Sequence, residues 1–343
     1  MSPSGLRVAI AGATGAVGKE MLATLEATKL PVSEIRPLAS PRSAGKQVTF
    51  RDQAWTVQTL TKDSFEGIDV ALFSCGGSRS KEFAPAAAAV GAVVIDNSSA
   101  FRMDADVPLV VPEVNPDACA DHRGIIANPN CSTIQLMLPL KVLAEAPGLD
   151  RVIVSTYQSS SGAGQAGMDE LEAGIRAFAS GEEPTAKVFP HPLAFDAIPH
   201  IGTFQANRYT DEELKLTNES RKILSIPDLD ISGTCVRVPV FRCHSESVTV
   251  DLRGDFDVAE IQERMDAFPN LVLVDDLERN KYPLARVSEG SNDTYVGRLR
   301  RDVNRSRTLH FWLVSDNLLK GAAFNAVQIA EYVVEAGLLR QNR

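Results

Sequence analysis

Short apolar runs alternate with longer segments of helical spacing along the first third of the chain. Leu6-Arg7-Val8-Ala9-Ile10-Ala11 reads as a buried strand, followed at once by Gly12-Ala13-Thr14-Gly15-Ala16-Val17-Gly18 and a helix from Val17 to Ala27. The strand pattern recurs at Ile35–Ala39, Asp69–Ser74 and Val93–Asp96. The helical pattern recurs at Arg79–Val90, where the alanines at 86–89 read as plain helix. Buried runs separated by helices predict a parallel, doubly wound, Rossmann-like α/β domain. Beyond about residue 151 the pattern changes. A strand over Arg151–Gln158, a loop Ser159–Gly164 and a helix Gln165–Ala179 are followed by a helical stretch Asp211–Leu224. Strands at Ser247–Leu252, Leu271–Val274, Thr294–Arg300 and Thr308–Val314, with a helix over Val258–Ala267, predict an α+β second domain. The last helix, from Lys320 to about Ala336, is apolar on much of its surface and is expected to pack back on the first domain.

Composition narrows the classes. The 343 residues are 44% hydrophobic and 23% charged, which suits about two globular cores. No apolar run approaches the roughly eighteen residues of a membrane span, and Met1–Gly5 shows no basic-then-apolar signal segment. A net charge of −9 opposes a nucleic-acid role. The five cysteines, Cys75, Cys119, Cys131, Cys235 and Cys243, are odd in number and scattered, with no C-x-x-C pair. That excludes the usual zinc and disulfide frameworks and points to a reducing cytoplasm.

Four places carry candidate chemistry. Strand, glycine turn and helix in succession make Gly12–Gly18 a candidate phosphate cradle, although its G-x-x-G-x-x-G differs from the common dinucleotide fingerprint. After the second strand, Ser40-Pro41-Arg42-Ser43 offers hydroxyls and a cation where an NAD site places an acid, which favours NADP. Ser74-Cys75-Gly76-Gly77 ends a strand on the side where such sheets bind ligands. Cys75 is the weaker nucleophile candidate, because a glycine pair rather than a helix start follows it.

Cys131 follows Asn128-Pro129-Asn130 and precedes the apolar run Ile134–Leu140, so a helix is expected to start there. Free amides and the helix dipole favour a thiolate at that position; a small buried hydrophobe fits the same spacing. Glu219 and Lys222, three apart, share a helix face, either in a site or as a surface ion pair. Arg237 lies in an apolar setting that calls for a carboxylate partner, bound or internal. His244 is one of five histidines and is either structural or proton-handling. In one regular strand, positions 237 and 244 would face opposite sides, so a shared site needs a break near Pro239.

Taken together, Gly12–Gly18, Ser98-Ser99-Ala100-Phe101-Arg102, Asn128–Ser132, Tyr157–Gly164, Asn218–Leu224, Val236–His244 and Asp316–Ala323 resemble the aspartate-β-semialdehyde dehydrogenase family from Val8 to about Glu331. The resemblance implies a reductive dephosphorylation of L-aspartyl-4-phosphate to the semialdehyde through a cysteine thioester. That is a step toward lysine (through diaminopimelate), threonine and methionine. It implies Cys131 as nucleophile, His244 as general acid/base and Gln158 as the orienting amide. Arg237 would clamp the α-carboxylate and Glu219 the ammonium, with Lys222, Arg102 and Asn130 at the phosphate. Gly12, Thr14, Gly15, Ala16, Val17, Arg42, Ser43, Ser74, Ser161, Gly162 and Asn317 would contact NADP. No metal is implied. A homodimer or dimer of dimers is. Residues 1–130 with the helix 320–343 would form the NADP-binding domain, and 131–319 the catalytic and dimerisation domain. Ser159-Ser160-Ser161 departs from the apolar residues usual before the serine. The competing resemblances are to N-acetyl-γ-glutamyl-phosphate reductase, whose substrate lacks the amine that Glu219 would meet, and more distantly to a phosphorylating glyceraldehyde-3-phosphate dehydrogenase. A non-catalytic NADP-binding protein would have no need of Cys131, Gln158, Arg237 and His244 together.

Overall fold

The computed structural model describes residues 5–340. Met1–Ser4 and Gln341–Arg343, with the part of the N-terminal reading that rests on them, lie outside the described residues. The chain forms two compact units, residues 1–130 with 322–343 and residues 131–321.

In the first unit β1 (Leu6–Ala11) leads through the glycine turn into α1 (Ala16–Ala27) and β2 (Val32–Ala39). A hairpin, β3 (Gln47–Phe50) and β4 (Gln53–Thr56), and a short β5 (Gln58–Thr59) follow. Then come β6 (Val70–Phe73), α2 (Gly77–Ala89), β7 (Val93–Asp96) and β8 (Ile125–Ala127). The main sheet runs β5-β2-β1-β6-β7-β8, every neighbouring pair parallel. Alternation along β1 assigns its two faces. Val8 and Ile10 enter one core with Met21 and Leu25 of α1, while Ala9 and Ala11 enter another with Ala84 and Ala87 of α2. Burying the larger of these, Val8, Ile10, Met21 and Leu25, contributes about 1.5–3 kcal/mol each, which makes the doubly covered sheet the stable arrangement for these runs.

The second unit opens with α3 (Cys131–Glu145) and continues through β9 (Leu149–Gln158), α4 (Gly164–Ala179), α5 (Asp211–Leu224), β10 (Asp230–Arg237), β11 (His244–Leu252) and α6 (Val258–Asp266). It ends with β12 (Leu271–Leu273), α7 (Ala285–Ser288), β13 (Thr294–Arg301) and β14 (Thr308–Ser315). Its six-stranded sheet is mixed, in the order β10-β9-β11-β14-β13-β12. β10 runs parallel to β9, and β11 antiparallel to both β9 and β14. The carboxyl ends of β9, β10 and β14 therefore meet the amino end of β11 at one edge of the sheet. α8 (Phe324–Glu335) returns to the first unit, where Ala326, Val327, Ile329 and Ala330 complete the core on the α1 side. No described helix is long and apolar enough to cross a membrane.

The separation of Arg237 from His244 differs from the single strand considered above. They end one strand and begin the next, with residues 238–243 turning between them and Cys243 at φ +72°. Cys75 also sits differently. α2 begins two residues beyond it, so a helix start does follow this cysteine.

α5 owes its start to a reciprocal cap. Thr210 Oγ1 accepts from the Glu213 amide at 3.2 Å, and the Thr210 amide donates to Glu213 Oε2 at 2.8 Å. Thr210→Ala is expected to cost about 1 kcal/mol of unfolding free energy, to be read by urea denaturation; an unchanged midpoint would show that packing alone sets the start of α5.

Candidate active site

In the first unit the glycine loop lines a cavity of about 200 Å³ together with Thr14, Ser40, Arg42, Ser43, Ser74, Cys75 and Arg79. Gly12 has φ +96°, and a Cβ on it would fall 2.3 Å from the Ser74 carbonyl oxygen. A Cβ on Gly18 would fall 2.2 Å from the Gly12 carbonyl oxygen. The spacing of the glycines thus lets loop, strand end and helix touch through bare backbone. Gly15 caps α1 with no side-chain hydrogen bond, so the first amides of that helix keep their donors for a ligand. No Asp or Glu lines the cavity, whereas the Arg42 and Arg79 guanidiniums do. Arg79 escaped the sequence reading because one arginine in the first turn of a polar helix has no distinguishing pattern. Cys75 is a poor nucleophile here for a different reason from the one the sequence offered: burial pushes its thiol up to about 11.

Also in the first unit, Arg102 is buried. Its Nε donates to the Asn128 carbonyl at 2.9 Å, and its Nη2 to the Asn97 carbonyl at 2.8 Å. Asn128 is tied in turn to Asn97 and Asn325. Arg102 therefore anchors the loop Asn128–Asn130 that leads into Cys131, and Asn130 is itself buried.

The second unit brings Cys131, Gln158, Arg237 and His244 together. Cys131 is the first residue of α3 and half-buried. Gln158 and Arg237 close β9 and β10 in direct register, and His244 opens β11 on the same helix-covered face. Gly162 lies against two of them, since a Cβ there would sit 2.7 Å from Arg237 Nη1 and 3.3 Å from His244 Cε1. Gly321 lies equally close to Cys131 Cβ, at 2.9 Å by the same construction.

Arg237 is buried, donates from Nη1 to the Ser159 carbonyl at 2.5 Å, and stacks 5.6 Å from the Phe189 ring centre. It has no ion pair among the described residues. Burial lowers its pKa, opposed by the nearby Glu212 and Cys131. His244 is fully buried. Burial first and the Arg237 charge second push it down to about 3, with Glu212 opposing. The Ser159 amide donates to its Nδ1 at 3.1 Å, so the neutral ring carries its hydrogen on Nε2, which has no partner among the described residues.

Ser159 Oγ also approaches Nδ1, at 3.0 Å, and Asn317 Oδ1 collects Ser159 Oγ, Ser161 Oγ and the Cys243 amide within 3.2 Å. Ser161 and Asn317 thus belong to the scaffold behind His244. Glu219 is buried on α5 and Lys222 half-buried beside it, which removes the surface ion pair as an account of Glu219. Among the described residues no cluster could hold a metal.

Residues 7–122 match the family described as semialdehyde dehydrogenase, NAD binding domain, and residues 140–320 the one described as semialdehyde dehydrogenase, dimerisation domain. The chain is 49% identical over 339 residues to the aspartate-semialdehyde dehydrogenase of Aquifex aeolicus, covering 98% of this chain and 100% of the relative. It is 49% identical to that of Bacillus subtilis over 343 residues, covering 98% and 99%. Among solved structures it is similar to Vibrio cholerae aspartate semialdehyde dehydrogenase II complexed with ASA, at TM-score 0.93 and 43% identity over 96% of this chain and 98% of that one. It is also similar to the Candida albicans enzyme with NADP, at TM-score 0.76 and 25% identity over 98% and 100%. The chain belongs to the aspartate-semialdehyde dehydrogenase family and is an oxidoreductase.

One further buried acid titrates near this site. Glu246, two residues along β11 from His244, faces Gln135 of α3, and burial pushes its carboxyl up to about 8. The native state therefore holds a proton there that the unfolded chain releases near its ordinary value of 4.5. That contribution to stability is complete below 4.5 and is lost as pH rises through about 8. Glu246→Gln should flatten the fall in melting temperature between pH 4.5 and about 8; a parallel fall in both proteins would show Glu246 already ionised.

Proposed function

We propose that this chain catalyses NADPH-dependent reductive dephosphorylation of L-aspartyl-4-phosphate to aspartate 4-semialdehyde through a thioester on Cys131. The observation that carries the reading is the buried Arg237, a guanidinium without an ion pair at the sheet edge where Gln158, His244 and Cys131 converge. A bound carboxylate removes the cost of that isolated charge, and the planar fork of Arg suits it bidentately.

Cys131 is held at the start of α3, close enough to Arg237 to affect its charge, and is the nucleophile. It attacks the acyl carbon, the C–O bond to phosphate breaks, and inorganic phosphate leaves. Lys222 supplies a cation for that phosphate, and Glu219 a carboxylate for the substrate ammonium. Gly12, Thr14, Gly15 and Arg42 would hold a nicotinamide dinucleotide, whose chemistry when bound would be to donate a hydride at the oxidation level of a thioester. His244 presents its Nε2 hydrogen to the oxygen that gains charge and is the group that moves the proton as the hemithioacetal collapses, while Gln158 orients the intermediate.

The cavity of the first unit fits a dinucleotide, since its bare backbone and uncapped helix start suit a pyrophosphate. Arg42, Ser43 and Arg79 favour a 2′-phosphate and hence NADP over NAD. The half-exposed face of the second sheet carries Ile153 and Tyr157, the latter against Trp312, and a second copy of the chain would cover it as a homodimer. The free cysteines suit a reducing cytoplasm.

The test is NADPH formation from aspartate semialdehyde and NADP, with and without phosphate, beside N-acetylglutamate semialdehyde. Strict dependence on phosphate and on the unacetylated aldehyde supports the reading; preference for the acetylated substrate contradicts it. Cys131→Ala should abolish turnover and keep NADP affinity within a few-fold. Arg79→Glu should weaken NADP by about tenfold and leave NAD nearly unchanged; equal losses for both would deny a 2′-phosphate contact.

A further inference from the structure

Ser159 touches both Arg237 and His244, yet its side chain has no task in the reaction described above. It follows the last residue of β9 and is fully buried. Its main chain serves both neighbours. The carbonyl accepts from Arg237 Nη1, and the amide donates to His244 Nδ1 at 3.1 Å. The hydroxyl stands before the one-turn helix Ser160–Ala163, where a serine ordinarily caps, but it makes no capping bond. It lies instead 3.0 Å from His244 Nδ1, 3.0 Å from Ser161 Oγ and 3.2 Å from Asn317 Oδ1.

The supply of hydrogens makes that position consequential. Nδ1 of the neutral ring has one lone pair, already met by the Ser159 amide. Asn317 Oδ1 has two, already met by Ser161 Oγ and the Cys243 amide. The single hydrogen of the Ser159 hydroxyl therefore competes for an occupied acceptor on either side. Once the ring is charged the demand reverses, because Nδ1 then carries a hydrogen and needs an acceptor. The Ser159 amide can only donate. The hydroxyl oxygen can accept from Nδ1–H while its own hydrogen turns to Asn317.

A histidine that works as acid and base at Nε2 needs such an acceptor. In the acid step the Nε2–H bond breaks and an O–H bond forms on the hemithioacetal oxygen. On collapse the O–H bond breaks, Nε2–H re-forms, and the C–S bond breaks with its electrons on the Cys131 sulfur. Nδ1 keeps its hydrogen through both steps, since a ring without either hydrogen is an anion. The resting ring, with its hydrogen on Nε2, enters this cycle by taking one proton from the medium at Nδ1. Burial and Arg237 of β10 oppose that uptake, whereas Glu212 of α5 and the Cys243 main chain favour it. Cys131 of α3 bears on Arg237 in turn.

We propose that Ser159 is a positioning residue for His244. Its hydroxyl accepts the Nδ1 hydrogen of the charged ring and turns its own hydrogen to Asn317 Oδ1, so that Nε2 can give and take a proton. The inference rests on the reading of His244 as the group that moves the proton.

Ser159→Ala removes the hydroxyl and leaves the amide and carbonyl that hold His244 and Arg237. In wild-type protein first shown to turn over with phosphate, the variant should lose about tenfold in kcat with KM for phosphate within twofold. The acid limb of its pH–rate profile should move to lower pH. The charged ring loses a charge-assisted bond while the neutral ring keeps the Ser159 amide, so protonation becomes harder. Ser160→Ala removes a neighbouring buried hydroxyl whose bond is to the Phe241 carbonyl at 3.4 Å, and it should keep both kcat and the profile. A Ser159→Ala enzyme with wild-type kcat and pH profile, one altered only in melting temperature, or equal losses in the two variants would overturn the proposal. Absence of phosphate-dependent turnover in the wild-type protein would instead refute the functional reading beneath it.

Discussion

Arg237 carries a positive charge into a part of the second sheet that is almost closed to solvent, and the groups around it are arranged with respect to that charge. The Ser159 carbonyl and the face of Phe189 support it without neutralising it. Glu212 moderates it from α5, and the Cys131 sulfur lies within its field. The same charge helps hold His244 neutral, so the imidazole presents an Nε2 hydrogen to whatever occupies the site. A guanidinium left in this state is costly to the empty protein and favourable once an anion binds. Under the proposed function that anion is the carboxylate of the substrate.

Sheet topology makes that arrangement feasible. Because β10 is parallel to β9 and β11 antiparallel to it, two strand ends and one strand beginning reach a common edge. Residues far apart in sequence then project from neighbouring positions on the covered face. A Cβ on Gly162 would press into Arg237 Nη1 and crowd His244, and one on Gly321 would strike Cys131. In the first unit the bare backbone of Gly12 and Gly18 has the same use, close approach of chain to chain beside a ligand cavity.

Much of the fold was legible because parallel strands covered on both faces read as uninterrupted apolar runs, as Val70–Phe73 and Val93–Asp96 do. The β3–β4 hairpin was not. Its turn residues Arg51 and Asp52 take φ of +50° and +60° without a glycine to announce it. The break that a shared site for Arg237 and His244 requires is there, since residues 238–243 turn between the two strands with Cys243 at positive φ. Within the site, the candidate residues were visible through motif and residue type. Glu212, Ser159 and Arg79 were not, since an acid in a helix's first turn, a loop serine and a surface arginine are common everywhere. Their roles come from burial and from which atom faces which, and neither is written in local sequence.

The central claim is that Cys131 carries the acyl group. The most direct measurement is a rapid-quench experiment with aspartate semialdehyde and NADP in phosphate-free buffer, followed by intact-protein and peptide mass spectrometry. The account predicts a burst of NADPH stoichiometric with active sites and an aspartyl adduct on the peptide containing Cys131, discharged when phosphate is added. A burst with no adduct, or an adduct on Cys75 or another residue, would contradict it.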